Sequence, residues 1–440
     1  MRRVKRCYQL IVEIRFTSAA HVFLTVMALM ITASQLARAQ TFTTLYRFTG
    51  RTNGGYPTAE LIRDAAGNIY STTIDGGDIP CKGGGQFGCG TVFRLSPSEK
   101  ETVLYAFTGN SDGGYPYAGL VRDADGILYG TASQGGDYNC PISNGCGTVF
   151  QVDANGKERV LYTFSGHADG ASPYAGLVRE TAGHLYGSAV FGGAYSGIYG
   201  YGLIFEVDAN GKETVLHTFG SPPDGAWPNG RLLLDSKGNI YGTTSAGGIV
   251  NNDCYYGCGT VFKLSPDGKG GWTETVLHEF AGRPDGANPQ SALVLDAAGN
   301  LYGTTASGGS SSPHCGGFGP GCGTIFRLSP RGKTVVLYRF KSIPDGATPF
   351  AGVLLDSVKH VLYGTTKYGG TGDCADGFGD GCGTVFEFNL MTGKQTRLHI
   401  FSGGKDGCYP RGSLIQDNAG RVYGTASWCA SYGTVFRISP

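Results

Sequence analysis

The line Asp-Gly-x-x-Pro recurs through this 440-residue chain with its prolines at Pro57, Pro116, Pro173, Pro228, Pro289, Pro349 and Pro410, Asn53 standing for the acid in the first copy. Seven copies at intervals of 55–61 residues constrain the fold more than any other feature. A unit of that size cannot close a core alone, so each copy must bury an apolar face against the next.

Every copy keeps one internal order. In the fifth, the run Ala292 to Asp296 is followed by a turn at Ala297-Ala298-Gly299-Asn300 and then by Leu301-Tyr302-Gly303-Thr304-Thr305. A Gly- and Cys-rich loop leads to Gly323-Thr324-Ile325-Phe326-Arg327-Leu328, and Thr334 to Phe340 completes the copy. These four short segments, rich in Val, Ile, Thr, Tyr and Phe and bounded by Gly, Pro, Asn and Asp, read as four strands, and the short turns favour antiparallel pairing.

The seventh copy ends after its third strand, whereas Thr44-Leu45-Tyr46-Arg47-Phe48 carries the fourth-strand pattern ahead of the first copy. An N-terminal strand that completes the last sheet closes a ring; an open solenoid would need caps instead. The expected fold is all-β, a seven-bladed β-propeller of four-stranded antiparallel blades closed by residues 44–48, in one domain over residues 40–440. Its repeats begin near 53, 112, 169, 224, 285, 345 and 406. Closure protects the sheet edges. The 75 glycines then belong to turns and to close approaches between blades, and 40% hydrophobic residues suffice for a core, which excludes a disordered chain. The third copy departs most, with Glu180, Ser188 and Tyr201-Gly202-Leu203-Ile204-Phe205 in its variant slots.

Residues 1–39 hold six basic side chains and one acid, an apolar stretch from Val22 to Ala33, and Ala37-Arg38-Ala39. This is the pattern of a signal peptide cut after Ala39, too short in its apolar part to span a membrane. Arg2-Arg3 opens it without completing a twin-arginine motif. The formal net charge of +1 leaves about −4 on the remainder, which argues against nucleic acid as a partner. The expected location is secreted or on the exterior of the cell envelope, with no membrane span after cleavage, and the expected state is a monomer.

Of 13 cysteines, Cys7 leaves with the signal peptide and 12 remain, an even number in an exported chain. Ten form local pairs in the loop between the second and third strands: Cys81 with Cys89, Cys140 with Cys146, Cys254 with Cys258, Cys315 with Cys322, and Cys374 with Cys382. Two thiols per loop do not make a four-coordinate zinc site, so no metal and no cofactor are expected. Cys408 lies in the last Asp-Gly-x-x-Pro loop and Cys429 in the last second-to-third loop. In an antiparallel blade these loops share one face, which predicts a Cys408–Cys429 disulfide.

A single active site on a repeat scaffold must break the repeat. His217, His278 and His399 occupy a slot that is Tyr46, Tyr105, Tyr162 and Tyr338 elsewhere, and read as structural; His184 and His360 belong to turns on the opposite face. His167 and His314 are non-repeating and on the loop face. The acids of the Asp-Gly line (Asp112, Asp169, Asp224, Asp285, Asp345 and Asp406) offer one oxygen-bearing group per blade, which suits Asx turns better than a calcium or magnesium site. The acids that close the first strand (Asp64, Asp123, Glu180, Asp235, Asp296, Asp356 and Asp417) read as turn formers. Before the prolines stand Tyr56, Tyr115, Ser172, Trp227, Asn288, Thr348 and Tyr409. Tyr56, Tyr115, Trp227 and Tyr409, with Trp428, could stack on sugar rings or clamp a peptide, or else pack over neighbouring loops. No nucleophile elbow, phosphate loop or paired-carboxylate motif occurs, and no catalytic residue is assigned.

The line Asp285-Gly286-Ala287-Asn288-Pro289, Asp296 to Thr305, and Gly321 to Phe326 resembles the GloVer tandem repeat of bacterial choice-of-anchor exported proteins. The resemblance covers Thr41 to Pro440 and implies a surface or secreted repeat protein; it implies no reaction. No hydrophobic tail or basic cluster follows Phe436, which favours free export over anchoring. The expected function is noncatalytic binding of a carbohydrate or an envelope protein through the loop-rich face. The alternative is a polysaccharide-active hydrolase or lyase, which would need clustered non-repeating carboxylates or histidines in an axial pocket.

Overall fold

The computed structural model describes residues 40–440 apart from 83–86, 194–198, 221, 311–314, 316–319, 371–373, 375–379 and 430–431. The signal-peptide segment 1–39 and His314 lie outside the described residues. The compact propeller unit spans Phe42–Ile438.

Seven four-stranded antiparallel sheets form a seven-bladed β-propeller, with no helix among the described residues. In the fifth blade the innermost strand is Val294–Leu295, followed outward by Leu301–Thr305, Thr324–Leu328 and Thr334–Arg339. The seventh sheet takes its outermost strand from Thr41–Arg47, which pairs with Thr434–Ser439 as the circular offset requires.

Alternation along the second and third strands places one face in each blade interface. Phe326 from the third strand of blade five meets Phe280, which ends the outermost strand of blade four, edge to face at 5.1 Å. The same pair recurs around the ring from Phe107–Phe150 at 4.9 Å to Phe401–Phe436 at 5.4 Å. The closing interface is made by Phe48 and Phe93 at 5.1 Å, so the N-terminal strand packs as the other six outermost strands do. These rings are fully buried, and each fills a slot that a smaller residue would leave as a cavity.

Hydroxyls stitch the blades nearer the axis. Thr304 Oγ1 donates to the Ala351 carbonyl of the next blade at 2.8 Å, and Thr131 reaches the Ala175 carbonyl at 3.1 Å. The closing contact is Thr425 Oγ1 to the Ala59 carbonyl at 3.1 Å. Gly303 shows why the second strand carries a glycine: a Cβ there would lie 2.7 Å from the Phe326 ring and 2.8 Å from Leu293. A β-bulge interrupts the third and fourth strands in six blades, between Ile325 and Phe326 in the fifth. It shifts the register by one, Ile325 facing Tyr338 and Phe326 facing Val336, and adds local twist to the outer pair.

The Asp-Gly-x-x-Pro connection and the second-to-third loop share a face. They pair through bridges such as Ala287 with Ser307 and Cys408 with Trp428. Disulfides lock this face at Cys81–Cys89, Cys140–Cys146, Cys254–Cys258, Cys315–Cys322 and Cys374–Cys382. The sixth, Cys408–Cys429, has its Cα atoms 5.4 Å apart, inside the reach of a disulfide.

Candidate functional site

The repeated acids are occupied by the fold. Asp112 accepts the Thr108 N–H at 2.7 Å and the Tyr105 hydroxyl at 2.9 Å, and Asp406 accepts the Ser402 N–H and faces His399 Nε2 at 3.0 Å. His278 meets Asp285 at the same distance, so these histidines replace the tyrosine as partners of the loop carboxylate. These bonds outweigh burial at Asp406 and hold its carboxyl at about 2. On the opposite face Asp296 caps its turn through the Asn300 N–H at 2.8 Å and receives the Tyr302 hydroxyl at 3.0 Å. Asp64, Asp235 and Asp417 repeat that arrangement. His184, on this face, is bonded to Glu206, which raises its pKa.

The residues before the prolines serve backbone geometry first. Tyr56, Tyr115, Ser172, Trp227, Asn288, Thr348 and Tyr409 all have φ between 52° and 58°. Non-glycine residues seldom adopt this left-handed region, and a β-branched one such as Thr348 least of all. The conformation aims each N–H back at the preceding blade, as from Tyr115 to the Cys89 carbonyl at 2.7 Å and from Tyr409 to the Cys382 carbonyl at 2.9 Å. Their side chains consequently lie along neighbouring loops. Tyr56 packs against Trp428 at 4.5 Å, Trp227 against Tyr256 at 5.4 Å, and Tyr409 against Tyr368 at 5.3 Å, while Tyr115 touches Cys81 Sγ at 3.6 Å. Trp428 stays 44% exposed. His167 is exposed in the Asp-Gly turn of the third copy, where its N–H meets Asp169 at 3.3 Å.

The residues after the prolines surround the axis instead. Thr58, Tyr117, Tyr174, Asn229, Gln290, Phe350 and Arg411 line the loop-face mouth of the central channel, a depression of about 110 Å³. No two neighbours repeat except Tyr117 and Tyr174, whose rings lie 5.0 Å apart. Arg411 sits 5.5 Å over the Phe350 ring, and its Nε is buried with no hydrogen-bond partner. Burial accordingly lowers its pKa. Lys367 lies behind it, 6% exposed, 4.3 Å from the Tyr368 ring and 5.5 Å from Phe350. In the other copies its slot holds Ile74, Ser133, Val190, Ser245, Ala306 and Ser427. Blades six and seven therefore give the mouth a cationic, aromatic side.

A salt bridge floors the mouth. Glu60 of blade one and Arg231 of blade four meet at 2.9 Å, passing over Gly119 and Gly176, the glycines that occupy the equivalent slot in blades two and three. Below it, towards the turn face, a cavity of about 980 Å³ is ringed by Ile62, Val121, Val178, Leu233, Val294, Leu354 and Ile415, one apolar residue per blade. The only carboxylate lining the mouth among the described residues is thus paired; Asp75, whose pKa burial raises, lies outside the lining and acts electrostatically on Tyr115 and Tyr117. The aromatic side chains before the prolines, for which the sequence leaves both sugar stacking and loop packing open, pack on neighbouring loops, and the residues after the prolines line the mouth. Both positions vary, and the first of them adopts a left-handed φ in every copy.

Fold and mouth together define a closed propeller whose interfaces repeat and whose loop-face mouth does not, a scaffold class that hosts enzymes and binding proteins alike. The chain belongs to the Gloeobacter/Verrucomicrobia repeat family, whose sequence model matches residues 31–196, 141–374 and 251–436. No curated protein matches it. Among solved structures it is similar to a fungal alcohol oxidase of the AA5 family in complex with copper, at 13% identity over 91% of this chain and 76% of that one, with a TM-score of 0.54. It is also similar to the oligogalacturonate lyase of Vibrio parahaemolyticus, at 11% identity over 92% of this chain and 94% of that one, with a TM-score of 0.52. At these identities the likeness is one of fold alone.

Proposed function

We propose that this chain is an exported binding propeller that takes an acidic carbohydrate at its loop-face mouth. The observation that carries the reading is Arg411, a desolvated guanidinium with an unpaired Nε beside Phe350 and across the mouth from Tyr117 and Tyr174. A uronic carboxylate would supply the missing acceptor, and sugar faces would stack on the aromatic rings while Asn229 and Gln290 meet hydroxyls. The exposed Tyr56–Trp428 pair, on the same face, extends the surface available to a longer glycan. Export is supported by the pattern of residues 1–39 together with six disulfides.

The mouth is shallow, and its lining carboxylate is tied to Arg231, which suits retention of a ligand better than acid–base cleavage. Asp75, with its raised pKa, supports the hydrolase or lyase as the second reading. The test is a glycan array probed with the mature protein, its Arg411→Ala and Tyr117→Ala variants, and a parallel assay for shortening of the bound polysaccharides. Retention of uronate-containing glycans that is lost in Arg411→Ala supports the proposal. Shortening abolished by Asp75→Asn would replace it with the enzyme.

A further inference from the structure

The outer rim of the propeller repeats a three-slot arrangement at every blade interface. One slot is the tyrosine or histidine near the end of an outermost strand, the second is the Asp or Asn of the following Asp-Gly loop, and the third lies at or near the start of the outermost strand of the next blade. Around the ring the occupants are Tyr46, Asn53 and Glu101; Tyr105, Asp112 and Glu158; Tyr162, Asp169 and Glu213; His217, Asp224 and Glu274; His278, Asp285 and Thr334; Tyr338, Asp345 and Gln395; and His399, Asp406 and Phe42. Histidine, aspartate and glutamate coincide only at the interface of blades three and four.

That interface is also the one where the local bonding fails. His278 and His399 bond their aspartates at 3.0 Å, and Tyr105 and Tyr162 bond theirs at 2.9 Å. His217 Nε2 stands 3.8 Å from Asp224 Oδ2, and it is buried with no hydrogen-bond partner. Glu274 Oε1 is buried and unpartnered too, as are the third-slot atoms Glu101 Oε1, Glu158 Oε1, Glu213 Oε1, Thr334 Oγ1 and Gln395 Nε2, so the unbonded histidine is what sets this interface apart. One ligating atom from each of the three residues lies within 4.8 Å of the other two. The His217–Asp224 separation lies near the roughly 3.4 Å edge of a tetrahedral site with bonds of about 2.0–2.1 Å, and Glu274 would have to draw in to complete it.

We propose that His217, Asp224 and Glu274 form a binding site for one divalent cation of the zinc class, clipping the outer strands of blades three and four together. One imidazole nitrogen and two carboxylates are a donor set of borderline character, suited to first-row ions such as zinc and less to calcium, which takes six or more oxygens. Water completes the coordination at this half-buried rim. The other trio of potential ligands among the described residues, Cys374, Cys408 and Cys429, is disulfide-bonded and offers no thiolate.

The sibling interfaces supply substitutions that the scaffold already tolerates. His217→Tyr recreates the trio of blades one and two, Glu274→Thr that of blades four and five, and His399→Tyr is the control. Zinc uptake by the untagged mature protein is measured by equilibrium dialysis with elemental analysis, and melting is followed with and without added zinc. A single zinc ion per chain and a raised Tm are expected for the wild type and for His399→Tyr. In His217→Tyr and Glu274→Thr the affinity falls by about tenfold or more, and the Tm shift disappears. No uptake by the wild type, or uptake unchanged in His217→Tyr, overturns the proposal.

Discussion

The blade interfaces and the axial mouth are made from the same repeat, a few residues apart, and obey opposite rules. At the interfaces one solution recurs with few departures: a Phe–Phe pair near 5 Å, a glycine beneath the phenyl ring in every blade but the first, where Ser71 stands, and a hydroxyl crossing to the next blade from threonine or, at Ser188, serine, Thr365 being unbonded. At the mouth the residue after each proline runs through Thr58, Tyr117, Tyr174, Asn229, Gln290, Phe350 and Arg411. Seven equivalent interfaces must close one ring, so a misfit at any of them strains the rest, whereas the mouth contacts nothing that has to recur. The difference separates what holds this molecule together from what it can present to a ligand.

Substitutions that act on one region and spare the other break or sharpen that comparison. The largest effect is expected from Phe326→Ala, which empties a fully buried interface slot and lowers stability by about 3–5 kcal/mol in chemical denaturation. Loss of the Cys408–Cys429 cross-link in Cys408→Ser, which frees a loop of 21 residues, lowers it by about 3 kcal/mol on the chain-entropy estimate, read as a fall in Tm. Gly303→Ala overpacks the interface against Phe326 and Leu293 and costs about 1–3 kcal/mol. An unchanged midpoint in Gly303→Ala would show that the blades can part without loss.

A smaller effect tests the rim through pH. Burial pushes the carboxyls of Glu101, Glu158 and Glu213 up to about 7 from an ordinary value of 4.5. The folded state therefore holds these protons more tightly than the unfolded state does. Their contribution to stability is fully present below about pH 4.5 and is lost as pH rises through 7. Asp406 runs the other way: its carboxyl at about 2 contributes stability above an unfolded value of 3.8 that is lost as pH falls towards 2. Glu158→Gln should flatten the loss between pH 4.5 and 7 in melting curves; an unaltered pH profile contradicts the assignment. The smallest effect on stability belongs to the mouth. Arg411→Ala removes a half-buried cation whose Nε has no hydrogen-bond partner, and should shift stability by less than about 1 kcal/mol while abolishing capture of acidic glycan on the array.

The architecture was legible because period and strand order are local facts. Seven prolines, four apolar runs per copy and the displaced fourth strand at Thr44 to Phe48 were enough to count blades and to see how the ring closes. The disulfide between Cys408 and Cys429 followed from which loops share a face. The β-bulge between Ile325 and Phe326 left no mark, because a one-residue register shift is set by how the outer strand twists against its neighbour and not by residue type. The position after the proline varied as openly as the one before it, and the residue before the proline adopts a left-handed φ near 55°, which tyrosine, tryptophan and threonine do not announce.

The sequence by itself determined the number of blades, their strands, the pairing of cysteines and the turn chemistry of the repeated acids, since each depends on residues close together in the chain or on the period that relates them. The tertiary structure alone decided which variable side chains converge. Glu60 and Arg231 meet across 171 positions because two intervening blades carry glycine where they pass. Arg411 loses water because Phe350 comes from the blade beside it. His217 stands apart from its aspartate where Glu274 of the next blade closes in. Ring closure brings together residues that are remote in the chain, and the repeat does not specify the side chains that fill its variable slots.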